Sequence, residues 1–239
     1  MSSTIKVNNI QNLAGDDSGI DLSTNDQIIL KTANTTAITV DSSQNVALAG
    51  NQTIAGTLGV TGNITGAGMD LLYTVTSSSS VSAHDISSTY INSTYDNYYL
   101  VGYFEGDADT RTLKSQVFVG GVLQTGSIYG NATTLLDGSS HVNNNSDTFL
   151  FHATGGLMGG EDGEGTTISV VFHNANNTQA PFSCNGSSTK HSITPTHDAS
   201  SFSGSVIPAN RANVVNGIRF VMNTGNINYA NFKLYGLRD

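Results

Sequence analysis

The chain has 239 residues, of which 11% are charged, against roughly 25% in an average soluble protein. Nine Lys and Arg against 18 Asp and Glu give a net charge of −9 without a basic cluster, which argues against nucleic-acid binding. The sequence also lacks an apolar run long enough for a membrane helix or a secretory signal, so neither is expected. Ser, Thr, Asn and Gly instead make up 107 residues.

The aromatic residues divide the chain into two parts. All nine Tyr and all nine Phe lie at or beyond Tyr73, together with the three Pro and six His. Aromatic side chains bury about 150–250 Å² each, so the first part has little material for a globular core. We therefore place a domain boundary near Gly66–Asp70, with residues 1–70 before it and residues 71–239 after it.

In the first part, aliphatic residues recur in pairs two positions apart, separated by turn-forming Ser, Thr, Asn and Asp. The pairs are Ile20/Leu22, Ile28/Leu30, Ile38/Val40 and Val46/Leu48. This spacing places both side chains on one face of a short strand. Ile54, Leu58, Val60 and Ile64 follow among regularly spaced glycines. The pattern predicts a repetitive β-structure in which each rung contacts its neighbours.

One copy of this segment offers about two apolar residues for every eight to ten. Burying such a side chain contributes roughly 1.5–3 kcal/mol, whereas fixing one backbone residue costs about 1–2 kcal/mol. A single copy should therefore not fold alone. We expect an intertwined homotrimeric β-shaft over residues 19–70, whose core is Ile28, Leu30, Ile38, Val40, Val46, Leu48, Ile54, Leu58, Val60 and Ile64.

Residues 71–239 alternate apolar or aromatic stretches with turn residues, which predicts an all-β domain. A β-sandwich, jelly-roll-like, is the expected architecture, with hairpin turns at Gly120–Gly121 and 223–228. The predicted strands are Leu71–Val75, Tyr98–Glu105, Gln116–Val119, Thr148–Ala153, Thr166–His173, Phe202–Ile207, Ile218–Met222 and Asn231–Leu237.

Several segments resemble the short trimeric tail fibres of tailed bacteriophages, especially those of marine bacteria. The similarity lies in Ser3–Ile10, Ala37–Asp41, Ile54–Ile64, Ile218–Asn228 and Phe232–Leu237. It implies a non-enzymatic adhesin without a cofactor, made in the host cytoplasm and located in the virion. Residues 1–18 would dock on a virion protein such as a tail adaptor or baseplate, and residues 71–239 would bind host-surface polysaccharide. A head fibre, a capsid decoration protein and a polysaccharide depolymerase remain as alternatives.

Two groups of residues are candidates for ligand binding. Tyr95, Tyr99 and Tyr103 belong to a tyrosine-rich strip, whose exposed members could stack on sugar rings or on another subunit. Alternation predicts Tyr99 and Tyr103 on one face, and Tyr98, Leu100 and Phe104 on the other. The second group is Asn143, Asn144 and Asn145, expected at a loop tip with amides that could bond sugar hydroxyls.

Acidic and histidine-containing segments are the remaining candidates for metal binding or catalysis in the sequence. Glu105–Asp109 and Glu161–Glu164 fit solvated turns better than a Ca²⁺ site or a glycosidase carboxylate pair. His191 and His197 could meet on a trimer axis, although ordinary loop histidines are the simpler reading, and no metal site is expected. Cys184 lacks an activating context and is expected to be a small core or loop residue.

Overall fold

The computed structural model describes residues 9–11, 18–21, 28–32, 35–40, 45–49, 68–136, 141–153, 158, 163–191, 197–207 and 214–238. Throughout these ranges the protein is all-β, with antiparallel pairing and without a helix. None of the described segments could cross a membrane as a helix. The chain divides into two compact units, Met1–Val60 and Thr61–Asp239.

The first unit is a five-stranded antiparallel sheet in which each strand pairs with the next along the chain. Its strands are β1 (Asn9–Gln11), β2 (Ser18–Asp21), β3 (Ile28–Thr32), β4 (Thr35–Val40) and β5 (Val46–Leu48). The predicted anchor, residues 1–18, overlaps this sheet, because β1 pairs with β2. The predicted core residues Ile54, Leu58, Val60 and Ile64 lie outside the described residues.

The strand register of this sheet aligns aliphatic residues across all five strands. Ile10, Ile20, Leu30, Ile38 and Leu48 are successive Cα partners, and they form the aliphatic row. Ile28, Val40 and Val46 form a second row on the same face, two positions away. The neighbouring row on the opposite face consists of Asn9, Asp21, Ile29, Thr39 and Ala47. The sheet therefore has one aliphatic face and one mixed face.

The second unit contains two sheets that face each other. The larger sheet has the order β12-β11-β16-β15-β14-β8-β18-β6, and the smaller has the order β10-β9-β17-β7 with β13 beside β9. The strands of the larger sheet are β6 (Met69–Ser77), β8 (Asn97–Gly106), β11 (Tyr129–Leu135), β12 (His141–Asp147), β14 (Gly165–His173), β15 (Ser183–His191), β16 (His197–Val206) and β18 (Ile227–Leu237). Those of the smaller sheet are β7 (His84–Ile86), β9 (Leu113–Val119), β10 (Val122–Leu123), β13 (Phe151–His152) and β17 (Val215–Met222).

Phenylalanine side chains fill the space between the two sheets. Phe104 of β8 packs on Phe220 of β17, with ring centroids 5.2 Å apart. Phe202 of β16 stacks on Phe151 of β13 at 4.6 Å. All four rings are buried, so aromatic side chains form the centre of the core of this unit.

The structure corrects three local predictions. Asn143–Ser146 is not a loop tip but part of strand β12, because its backbone pairs with β11. Residues 223–226 do not close a hairpin, since β17 and β18 belong to different sheets and the chain crosses between them. The predicted strand Thr148–Ala153 shortens to Phe151–His152. The turn at Gly120–Gly121 is confirmed, with φ angles of 57° and 79° that suit a two-residue hairpin between β9 and β10.

Candidate functional site

The tyrosine-rich strand β8 alternates between the core and the outer face of the larger sheet. Tyr98, Leu100 and Phe104 are fully buried between the sheets. Tyr99 and Tyr103 are half-buried on the opposite face. The predicted division of β8 into two faces is therefore confirmed, and it leaves Tyr99 and Tyr103 accessible to a ligand.

Tyr95 does not reach that surface, which corrects its place among the candidate ligand residues. Its side chain is 9% exposed and packs edge-on against Tyr98, with ring centroids 5.9 Å apart. Its hydroxyl donates a hydrogen bond of 2.5 Å to Asp70 Oδ2. Tyr95 precedes β8, so strand alternation did not apply to it.

Tyr99 is held in place by its neighbours on the outer face. It stacks on Tyr235 of β18, with ring centroids 6.2 Å apart and an interplanar angle of 29°. Its hydroxyl lies 3.1 Å from Ser169 Oγ of β14. Tyr99 therefore has one ring face against Tyr235 and its hydroxyl beside Ser169.

The three predicted asparagines line a depression in the larger sheet, which we call the amide groove. Its volume is about 390 Å³, within the range of ligand pockets, roughly 300–1,000 Å³. It is lined by Gly130, Asn131, Ala132, Asn143, Asn144, Asn145, Ser183, Cys184, Ser203, Gly204 and Ser205. A β-bulge produces part of its shape, because Asn145 and Ser146 both lie opposite Gly130. Bulges of this kind commonly re-aim side chains beside binding sites.

Hydrogen bonds beneath the amide groove fix the orientation of its central amide. Asn144 Nδ2 donates to Asp147 Oδ2 at 3.0 Å, and Asp147 Oδ2 lies 3.1 Å from His152 Nε2. Burial raises the pKa of the Asp147 carboxyl, but its hydrogen bonds with Asn131, Phe149 and His152 and the His152 charge outweigh this, so its pKa falls below the ordinary value. Asn143 and Asn145 remain exposed beside this fixed amide.

Cys184 lies at the groove with only 3% of its surface exposed. Burial raises the pKa of its thiol well above the ordinary value, so the side chain stays a neutral thiol at physiological pH. Its role is packing, in agreement with the prediction from the sequence.

A second depression on the same sheet, the tyrosine pocket, has a volume of about 320 Å³. Its lining residues are Ser78, Tyr103, Glu105, Asn228 and Tyr229. A bulge in β18 inserts Asn228 between Ile227 and Tyr229, and Tyr229 is the Cα partner of Glu105. The sequence drew attention to Tyr103 and Glu105, but their position beside Tyr229 follows from the pairing of β8 with β18.

Gly165 of β14 makes room for the Tyr103 ring. A Cβ atom at position 165 would lie 2.6 Å from Tyr103 Cζ and from its hydroxyl oxygen. Burial and the charge of Glu105 raise the pKa of Tyr103 to about 12. Tyr103 is therefore a neutral phenol that can donate a hydrogen bond.

The other acidic and histidine candidates occupy different positions. Asp107 accepts hydrogen bonds from Arg111 Nε and from the Asn226 backbone N–H, both at 2.8 Å. This pairing holds the turn that follows β8, whereas Glu105 lies within β8 and is buried, so the expected solvated turn is wrong for that residue. Glu161 lies outside the described residues. His191 and His197 are Cα partners at the end of the β15–β16 pair. Among the side chains that the structure describes, no three acidic, His or Cys groups cluster as metal ligands would.

Comparisons with known proteins identified no relative of this chain. No family model matches the chain, and no curated protein or solved structure is significantly similar to it. The functional argument therefore rests on the residues and geometry above.

Proposed function

We propose that this protein is a homotrimeric virion fibre subunit of a tailed bacteriophage that binds a host-surface glycan. The first unit forms the shaft and docks on the particle, and the second unit is the distal receptor-binding domain. No catalytic step is part of this proposal. The trimeric state and the jelly-roll classification of the distal domain are also parts of this proposal.

The observation that carries the proposal is the exposure of the two aliphatic residues of β5 that belong to the aliphatic rows of the first sheet. In a single chain, Val46 and Leu48 are 59% and 48% exposed. Exposed apolar residues that are contiguous along a sheet mark an interaction surface, because water contact with them is unfavourable. Three copies, each contributing one sheet, would bury these rows against one another.

The native mass of the purified protein tests the assembly. We expect a particle of about 75 kDa, three times the chain mass of 24.9 kDa, by light scattering or native mass spectrometry. A monomer of about 25 kDa that keeps the first sheet would contradict the shaft and the fibre with it.

The glycan part of the proposal is supported by the chemistry of the amide groove. Amides and hydroxyls line it, and they both donate and accept hydrogen bonds, as the hydroxyls of a sugar require. Three such sites on one particle would act together through effective concentration, so weak binding at each site suffices for attachment.

A paired substitution tests the groove. We expect N143A/N145A to weaken binding of the trimer to host polysaccharide by at least about tenfold, since each lost hydrogen bond contributes roughly 0.5–1.5 kcal/mol. Glycan arrays or surface plasmon resonance would measure the change. Asn231 is an exposed asparagine of β18 outside the groove, so N231A is the matched control and should bind normally. Equal losses in both variants would remove the groove from the proposal.

The location in the virion needs its own test. We expect antibody against residues 71–239 to label the tail or baseplate in electron micrographs of intact particles. Labelling of the capsid surface would favour a head fibre or decoration protein, and a capsid-interior location would contradict attachment altogether.

A further inference from the structure

The tyrosine pocket combines a buried carboxylate with two aromatic rings, which the amide groove does not. We propose that this pocket binds an organic ammonium group, supplied by a sugar with a free amine. The inference rests on the proposed function only for the carrier, a component of the host glycan. The ammonium chemistry itself comes from Glu105, Tyr103 and Tyr229.

The geometry sets the carboxylate between two rings. Glu105 follows Tyr103 by two positions on β8, so both lie on the outer face, and Tyr229 is directly opposite Glu105 on β18. The Tyr103 and Tyr229 ring centroids are 6.0 Å apart, and the ring planes are tilted by 56°. Glu105 is only 6% exposed beneath them.

The carboxylate is weakly satisfied inside the protein. Its hydrogen bond with the described residues comes from the Tyr103 hydroxyl, at a long distance of 3.4 Å. A carboxylate can accept about four hydrogen bonds, so one long bond leaves room in the pocket for a stronger partner such as a cation. A cationic ligand would supply that partner.

Other carboxylates of this unit have such partners. Ion pairs of 2.6–2.8 Å join Asp70 to Arg238, Asp85 to Arg219, Asp107 to Arg111 and Asp198 to Lys190. Within the described residues, no Lys or Arg forms an ion pair with Glu105. The unpaired carboxylate is therefore a feature of the pocket and not of acidic residues in this unit generally.

The charge and the aromatic faces select the same ligand. Burial raises the pKa of Tyr103 most, and the negative charges of Glu105 and Glu164 raise it further. Tyrosine rings attract a cation through their electron-rich faces. A protonated amine would thus meet a carboxylate and two rings, whereas an acetylated amine would leave Glu105 without its counter-ion.

The remaining lining residues suit the rest of a sugar. Ser78 offers a hydroxyl and Asn228 offers an amide, and both can bond ring hydroxyls. The volume of about 320 Å³ is at the lower end of ligand pockets, which fits one monosaccharide.

The experiment compares three methyl glycosides on the intact protein at about pH 6, where a sugar amine is protonated. The probes are methyl glucosaminide, methyl N-acetylglucosaminide and methyl glucoside, with binding measured by calorimetry or by NMR shifts. We expect the free amine to bind at least about tenfold more tightly than the other two, because a hydrogen bond to a charged group is the stronger kind. Equal binding of all three would overturn the proposal.

Two matched substitutions separate the specific carboxylate from general negative charge. E105Q keeps the shape and should lower the affinity for methyl glucosaminide at least about tenfold. E164Q removes the same charge from a residue that does not line the pocket, and we expect a loss below about threefold. Equal losses in the two variants would show diffuse electrostatics and overturn the site.

Substitution of Tyr229 tests the aromatic contribution. Y229F retains the ring and should bind within about twofold of the original protein, whereas Y229A should lose about fivefold. Equal losses in Y229F and Y229A would contradict the contact with the ring face.

Measuring the binding of host polysaccharide distinguishes a failure of this inference from a failure of the proposed function. If methyl glucosaminide fails to bind while host polysaccharide binds through the amide groove, the pocket is overturned and the adhesin stands. If methyl glucosaminide binds and host polysaccharide does not, the ammonium site stands and its carrier is wrong.

Discussion

Asp70 is held by two side chains that lie far from it in the sequence. Its Oδ2 atom accepts hydrogen bonds from the Tyr95 hydroxyl at 2.5 Å and from Arg238 Nε at 2.7 Å. Because both bonds favour the ionised carboxylate, the Tyr95 bond most, the pKa of Asp70 lies below its ordinary value of 3.8. Tyr95, expected from the sequence to bind ligand, is thus a structural residue that secures the start of β6.

This pKa shift predicts how stability depends on pH. A carboxyl with a lowered pKa in the folded state stabilises the protein fully above its unfolded pKa, and the contribution disappears as pH falls through the folded value. We expect D70N to unfold at lower urea concentration than the original protein at neutral pH. The difference should shrink as pH falls below about 4, and urea titrations between about pH 2.5 and 7 would measure it.

D85N is the control for this experiment. Asp85 pairs with Arg219 at an exposed position, and such surface pairs contribute about 1 kcal/mol at most. An equal destabilisation by D70N at pH 3 and at pH 7 would show that the Asp70 charge is not the cause.

At the scale of elements, polar side chains replace part of the hydrophobic core. Side chains on four strands donate hydrogen bonds to backbone carbonyls of residues 148–153, a segment whose backbone also pairs with β9 along part of its length. The donors and acceptors are Gln116 to Thr148, Asn131 to Phe149, Thr133 to His152, and Ser188 and Ser200 to Ala153. Buried polar side chains are tolerated there because each is hydrogen-bonded.

These hydrogen bonds explain why some strands could be predicted from the sequence and others could not. β8, β14 and β18 have aromatic or β-branched residues alternating toward the core, and their positions were predicted within a few residues. β11, β12 and β15 consist largely of Ser, Thr, Asn and Gly, which is a turn composition. Their inward-facing polar residues can be assigned to strands only when the backbone carbonyls to which they donate hydrogen bonds are known.

The same limit applies to the candidate sites. The sequence singled out Asn143–Asn145, Tyr103 and Glu105 from their own composition. It could not place Asn228 or Tyr229 beside Glu105, since this depends on a bulge and on pairing between strands more than 100 residues apart. Local pattern therefore identified suitable side chains, and register decided which of them share a cavity.

Gly204 marks a close approach between elements and provides a test of the packing. A Cβ atom at position 204 would lie 1.8 Å from the Leu150 carbonyl oxygen, which is backbone and cannot rotate away. We expect G204A to lower the free energy of unfolding by about 3 kcal/mol, as severe overpacking does. Chemical denaturation monitored by circular dichroism would measure the loss.

Gly130 is the matched control on the neighbouring strand. Its nearest atom to a built Cβ is the Asn144 carbonyl oxygen at 3.7 Å, an ordinary contact. G130A should therefore be neutral or slightly stabilising, since Ala loses less backbone entropy than Gly on folding. Comparable losses in both variants would mean that β16 and the segment before β13 are not in close contact.

At the scale of the molecule, one substitution distinguishes the two faces of the first sheet. We expect L48D to reduce the native mass from about 75 kDa toward 25 kDa, because a charge in the aliphatic row would be buried in a trimer without a partner. A47D changes the adjacent residue, which pairs with Thr39 on the other face, and should leave the mass unchanged. Native mass spectrometry would compare the two.

Both outcomes should leave the second unit folded, since its core does not involve the aliphatic row. A trimer that survives L48D but not A47D would show that the other face is the interface. Loss of the near-ultraviolet circular dichroism of the tyrosines in L48D would mean that the two units do not fold separately.

The pairing of β6 with β18 has a consequence for the order of events during synthesis. Asp70 and Arg238, which are joined across this pair, are 168 positions apart, and β18 lies inside the sheet between β8 and β6. The ribosome must therefore deliver almost the whole domain before its larger sheet can close, whereas the first sheet needs only neighbouring strands. In the proposed trimer, nascent chains on one messenger would thus begin to associate through the first sheet while their distal domains are still incomplete.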